Sequence, residues 1–164
     1  MDQMNTVDVN GTKSVAASLA NVVRAGDLIV LAGEMGVGKT AFVQGFAAEL
    51  GVADPVTSPT FTLVRSYVIP TRPGRPRVLH HLDVYRLERM NEVADLAIGE
   101  LMDDRSVTLI EWGDAVLDAL PKDRLEVLLA YGDGPDDRTI EVVRAGPSWS
   151  PRLRQWTQGW QDGV

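Results

Sequence analysis

Gly33-Glu34-Met35-Gly36-Val37-Gly38-Lys39-Thr40 is the stretch on which the reading of this chain turns. It matches the pattern G-x-x-x-x-G-K-[ST], a glycine-rich loop whose backbone N–H groups wrap phosphate oxygens. Gly33 and Gly38 permit a tight backbone path, and Gly36 removes side-chain bulk where an anion must approach. Before it runs Leu28-Ile29-Val30-Leu31-Ala32, a short apolar run of buried-strand character. After it, Phe42, Val43, Phe46 and Leu50 fall at helical spacing and Gly51 offers a stop. Strand, loop and helix thus follow in the order that a phosphate-binding loop requires. The helix start at Lys39, Thr40 and Ala41 adds free N–H groups and a positive dipole end. Lys39 is placed to reach β- and γ-phosphates, and the Thr40 hydroxyl to ligate Mg²⁺. Lysine is scarce here: Lys13, Lys39 and Lys122 stand against thirteen arginines, so a lysine at this position is not a product of composition.

Composition narrows the class. At 164 residues, 45% hydrophobic and 24% charged, the chain is long enough for one domain with a real core. It has no apolar run long enough to span a membrane, and Met1-Asp2-Gln3-Met4-Asn5 is no secretory signal. No cysteine is present, which removes disulfides and thiolate metal sites and is compatible with a cytoplasmic location. A net charge of −7 argues against autonomous nucleic-acid binding.

Working outward, Thr6 to Val9 alternates as an edge strand, and Thr12 reads as the N-cap of a helix carrying Val15, Ala16, Leu19, Val22 and Val23. Residues 62–69 and 78–85 read as two strands of a hairpin, joined by the proline- and arginine-rich loop 70–77. That loop is read as a solvated connection, with a lid over phosphate as the alternative. Short helices are expected over 88–104 and 114–120, and a buried strand over 107–111. A C-terminal β-hairpin follows from Arg124–Tyr131 and Arg138–Arg144. The body covers residues 1–146. Residues 147–164 form a tail with Trp149, Trp156 and Trp160, expected as a helix docked on the sheet or a partly flexible segment, with a partner-docking patch as the alternative.

A phosphate loop needs an acid at the end of a neighbouring strand. Asp83 and Glu111 both qualify, and the strand before Glu111 is the more uniformly apolar. Either serves as a metal ligand or catalytic acid, directly or through water. His80 and His81 are adjacent on a strand and point to opposite faces, so one packed and one exposed ring is expected, not a shared metal.

Taken in order, Gly33–Thr40, Ser58-Pro59-Thr60-Phe61-Thr62-Leu63-Val64, His81-Leu82-Asp83-Val84-Tyr85-Arg86-Leu87 and Ile110-Glu111-Trp112 resemble the TsaE (YjeE) family of small bacterial ATPases over residues 6 to 145. The resemblance implies an α/β fold, P-loop NTPase-like and three-layered, with a mixed sheet. It implies an ATPase using ATP/ADP and Mg²⁺, working with TsaD-like and TsaB-like proteins on threonylcarbamoyladenosine in tRNA, the RNA being met only through the complex and no membrane involved. By that resemblance Lys39 contacts phosphate, Thr40 and Glu111 hold Mg²⁺, and Asp83 assists catalysis or metal binding. Ser58, Pro59, Thr60, Phe61 and Thr62 become a nucleotide-sensing switch; Trp112 supports Glu111, and Tyr85 and Arg86 belong to the site or a partner interface. Two rivals stand beside this: a P-loop small-molecule kinase and a non-catalytic nucleotide-gated module. A GTPase is disfavoured because no N-K-x-D signature occurs.

Overall fold

Leu28–Ala32 (β2) is apolar along its whole length, and a strand of that kind is stable only with both faces covered. In the computed structural model, which describes residues 2–58, 64–84, 102–111, 117–118 and 120–161, β2 lies at the centre of the sheet. The other strands are β1 (Gln3–Thr6), β3 (Val64–Val68), β4 (Val78–Asp83), β5 (Ser106–Glu111), β6 (Leu125–Tyr131) and β7 (Arg138–Ala145). Their order is β1-β7-β6-β2-β5-β4-β3. The inner four run parallel, while β3, β7 and β1 are antiparallel additions at the edges. The sheet is therefore mixed, and β6 and β7 form the expected C-terminal hairpin.

Three helices are present among the described residues: α1 (Val9–Ala20), α2 (Lys39–Leu50) and α3 (Ser150–Gln161). They join the core on the face carrying Ile29, Leu31, Leu79, Val107, Leu109 and Val127. The opposite face presents Leu28, Val30, Leu82, Val84 and Ile110, covered among the described residues by Leu120 and Leu117. The helices expected over 88–104 and most of 114–120 lie outside the described residues. Gly45 brings α1 and α2 together: a Cβ added there would stand 2.5 Å from the Lys13 carbonyl oxygen.

Three expectations need correction. The first strand ends at Thr6 and does not extend to Val9; Val7 is exposed. The N-cap of α1 is Asp8, not Thr12: its backbone is extended and its carboxylate Oδ1 accepts the Gly11 N–H at 2.8 Å. Thr12 is buried inside the helix, its hydroxyl 3.2 Å from that of Thr6. The tail helix docks on α1 and not simply on the sheet. Trp156 is 2% exposed, and its indole N–H donates to Val15 O and Ser18 Oγ. Arg152 anchors the same helix through two bonds to Asp27, at 2.6 and 3.0 Å, and lies over the Trp149 ring.

The loop 70–77 enters β4 at its N-terminal end, and Arg77 N–H donates to Arg105 O just before β5. Arg75 donates to Ala20 O and Asn21 Oδ1 at the C-terminal end of α1. This is the sheet edge opposite Gly33–Thr40. The lid reading fails on geometry; Arg72 and Arg77 are exposed, as a solvated connection requires, while Arg75 is half-buried against α1.

Candidate functional site

Because the inner strands are parallel and in register, their C-terminal ends come to one level. Glu111 pairs with Leu31 on one side and Asp83 on the other. Leu31 is two residues before Gly33, so the glycine-rich loop rises beside both acids. The sheet thereby unites Lys39, Thr40, Asp83 and Glu111, which are widely spaced in sequence, at the edge where ligands of open α/β sheets gather.

The loop is built on glycine backbone conformations. Gly36 has φ 79° and Gly38 φ 115°, values that L side chains rarely adopt. At Gly33 space also decides: an added Cβ would lie 2.5 Å from Leu129 O and 2.9 Å from Val37 Cγ1. Val37 is fully buried and seats the loop on the core, while Glu34, Met35 and Gly36 are exposed at its crest. Gly38 caps α2, and its carbonyl accepts the Phe42 N–H. Lys39 is 5% exposed and folds back along the loop, donating from Nζ to Gly33 O at 2.5 Å and Glu34 O at 3.0 Å. A buried ammonium beside left-handed glycines and a helix N-terminus makes a concentrated anion site. Thr40 and Ala41 lie half-buried in the first turn of α2.

The acids differ in setting. Glu111 is 2% exposed and accepts from His81 Nε2 at 2.5 Å, His81 itself being wholly buried. Asp83 closes β4 with intermediate exposure. Of the His80–His81 pair, for which one packed and one exposed ring is expected, His81 is the buried member, and it meets the Glu111 carboxylate. Its position two residues before Asp83, hence on the same strand face, was the signal available. His80 points the other way, with Nδ1 2.7 Å from Ser66 Oγ. Burial lowers its pKa, partly offset by the charge of Asp103. No group of three or more His, Cys, Asp or Glu side chains converges among the described residues. Any magnesium here would therefore depend on few protein ligands, as that ion commonly does when phosphate and water complete its octahedron.

A cleft of about 170 Å³ adjoins the loop, between the start of α1 at Val9 and Thr12 and the β6–β7 turn at Asp136 and Arg138. Ser58 ends the described segment that Gln44 Nε2 ties to α2 through Val56 O. Pro59, Thr60, Phe61, Thr62, Tyr85, Arg86 and Trp112 lie outside the described residues. Two residues that sequence reasoning did not single out touch the loop directly: Tyr131 donates to Met35 O, and Arg138 to Val37 O.

A parallel sheet core, a strand running into this loop, and acids on the adjoining strands define an α/β protein of P-loop NTPase-like fold. Residues 6–140 match the model of the family described as threonylcarbamoyl adenosine biosynthesis protein TsaE. The chain belongs to the TsaE family. The Bacillus subtilis tRNA threonylcarbamoyladenosine biosynthesis protein TsaE is 37% identical over 141 residues, 86% of this chain and 84% of that protein. The Streptomyces coelicolor protein of the same name is 38% identical over 142 residues, 84% and 93% of the two chains. A crystal structure of Bacillus subtilis YdiB superposes with a TM-score of 0.78 at 29% identity, covering 96% of this chain and 94% of that one. Among the described residues no helix is long and apolar enough to cross a membrane.

Proposed function

We propose that the protein is a Mg²⁺-dependent ATPase that acts with TsaD-like and TsaB-like partners in threonylcarbamoyladenosine modification of tRNA. ATP hydrolysis would reset or regulate the transferase complex; tRNA is met only through the partners. The observation carrying this reading is the registered edge that sets the buried Lys39 and the loop beside Glu111. Family membership supplies the pathway, since the relatives bear that name.

The residues fit the groups they are asked to hold. Gly33 to Ala41 would bind the phosphate chain through loop and helix amides, and Lys39 would neutralise its terminal oxygens. Thr40 and Glu111 would hold magnesium, with Asp83 assisting at the neighbouring strand end. When bound, that ion shields phosphate charge and draws electron density from the bond to be broken. Glu111, fixed by His81, is aimed and desolvated, which suits it to accept a proton-bearing ligand such as water. The cleft beside Ala41 and Arg138 gives the nucleoside end a place to lie. Ser58 and the segment after it would sense the nucleotide, and Tyr85, Arg86 and Trp112 would support the site or a partner contact. A cysteine-free chain suits the reducing cytoplasm in which this reading places it.

The test is phosphate release from ATP with and without Mg²⁺, and with and without a purified TsaB–TsaD pair. Mg²⁺-dependent hydrolysis raised by the pair is expected. ATP binding with no turnover under any of these conditions would replace the ATPase with a nucleotide-gated module, and stoichiometric phosphorylation of a small acceptor without partners would replace it with a kinase.

A further inference from the structure

Two carbonyl oxygens of the glycine-rich loop are held from a distant part of the chain. The Tyr131 hydroxyl donates to Met35 O at 2.9 Å, and Arg138 Nε donates to Val37 O at 2.9 Å. Tyr131 and Arg138 oppose one another in the β6–β7 register, and the guanidinium carbon lies 4.7 Å from the centre of the Tyr131 ring. Arg138 Nη1 also donates to Pro135 O and Asp137 O, so the cation is held by its own turn as it reaches the loop. Contact is close: a Cβ added to Gly36 would stand 3.2 Å from the Tyr131 hydroxyl.

A trans peptide unit is planar, with its C=O and N–H directed oppositely. Met35 O shares a peptide plane with the Gly36 N–H, and Val37 O shares one with the Gly38 N–H. Two side-chain bonds from the hairpin therefore set the direction of two loop N–H groups, turning both away from the hairpin. Donation to a carbonyl also polarises the peptide and strengthens its N–H as a donor, more so when the donor is a guanidinium.

We infer that Tyr131 and Arg138 form a clamp that presets the loop for phosphate, as positioning residues acting through the Gly36 and Gly38 amides. This rests on the nucleotide reading above and adds to it a mechanical role for the C-terminal hairpin. A loop already held in its binding conformation loses less freedom when the anion arrives. If the two side chains merely packed, their removal would alter stability alone, leaving the affinity of the folded protein intact.

The full chain is compared with Tyr131→Phe, Arg138→Gln and the double variant. ADP binding is measured by calorimetry without Mg²⁺, and amide hydrogen exchange is followed over residues 34–38 without ligand. Tyr131→Phe is expected to weaken ADP binding about five-fold and Arg138→Gln about ten-fold or more. The double variant should lose less than the product, because both bonds hold one loop. Loop exchange should accelerate while the urea midpoint moves little. ADP affinity equal to wild type in both single variants, or unchanged loop exchange, would overturn the clamp and leave the nucleotide reading standing. Wild-type protein that does not bind ADP would remove the reading and the clamp together.

Discussion

His81 Nε2 stands 2.5 Å from Glu111 Oε2, with both side chains withdrawn from solvent. A carboxylate accepts and an imidazole N–H donates, so this pairing places the proton on Nε2 and directs one oxygen of Glu111 inward. Burial of an acid at a strand end is costly unless a donor meets it. His81 is that donor, supplied from the adjoining strand two residues before Asp83.

Glu111→Gln keeps the shape of the side chain and a hydrogen bond to the ring but removes the charge. Mg²⁺-dependent turnover is expected to fall at least about 100-fold, with the urea midpoint little changed. His81→Leu instead leaves the buried carboxyl group without its donor. It should cost about 2–4 kcal/mol in urea unfolding, and Leu at both positions should recover part of that loss. A His81→Leu protein as stable as wild type would show that the pair contributes nothing to the fold.

Lys39→Ala removes the ammonium that spans Gly33 O and Glu34 O. ATP hydrolysis should drop by at least about two orders of magnitude, and ADP affinity should fall with it. Steady-state phosphate release and calorimetry read the two effects separately. Undiminished turnover would take Lys39 out of the site.

Gly45→Ala tests the crossing of α1 and α2. Alanine favours an isolated helix by about 1 kcal/mol, yet its Cβ would meet Lys13 O at 2.5 Å and Lys13 Cα at 2.6 Å. Both are backbone atoms, so relief requires the helices to part. The expected net result is a loss of about 1–3 kcal/mol by urea denaturation; a more stable variant would mean that the crossing yields easily.

His80 gives a pH dependence of definite sign. Desolvation lowers its pKa in the fold, against the opposing pull of Asp103. The unfolded chain then binds more protons, so stability is full above the ordinary histidine value of about 6.5 and declines as pH falls through the folded pKa. His80→Gln should flatten that slope between pH 7.5 and 5 relative to wild type, as read from urea midpoints. Parallel profiles for the two proteins would assign the slope to other groups.

What the sequence disclosed followed the range of each interaction. The strand, loop and helix around Gly33–Thr40 were legible because every signal lay within a few residues. Glu111 was legible as an acid closing an apolar strand. Asp8 is not distinguished by type, because Thr12 is an equally competent cap. The docking of the tryptophan face is legible, but not its bonds to α1, since spacing reveals an apolar stripe and not what it meets. Tyr131 and Arg138 gave no local sign, their loop partners being 96 and 101 residues away. The loop 70–77 showed by composition that it was solvated, but only the direction of β4 put it on the far edge.

Trp156 bonds to Val15 O across 141 residues of chain, and that span bears on how the protein comes to be folded. Contacts so remote in sequence close a long loop and cannot form before the last of the chain is made. During synthesis Gly33–Thr40, Glu111 and the hairpin all emerge before Trp149, Trp156 and Trp160. A nascent or truncated chain thus carries the elements of its site beside an open apolar surface on α1, the kind of surface by which chaperones and proteases recognise an unfinished protein. Seating Trp156 and the helix that carries it on that surface is the step that withdraws it from their notice.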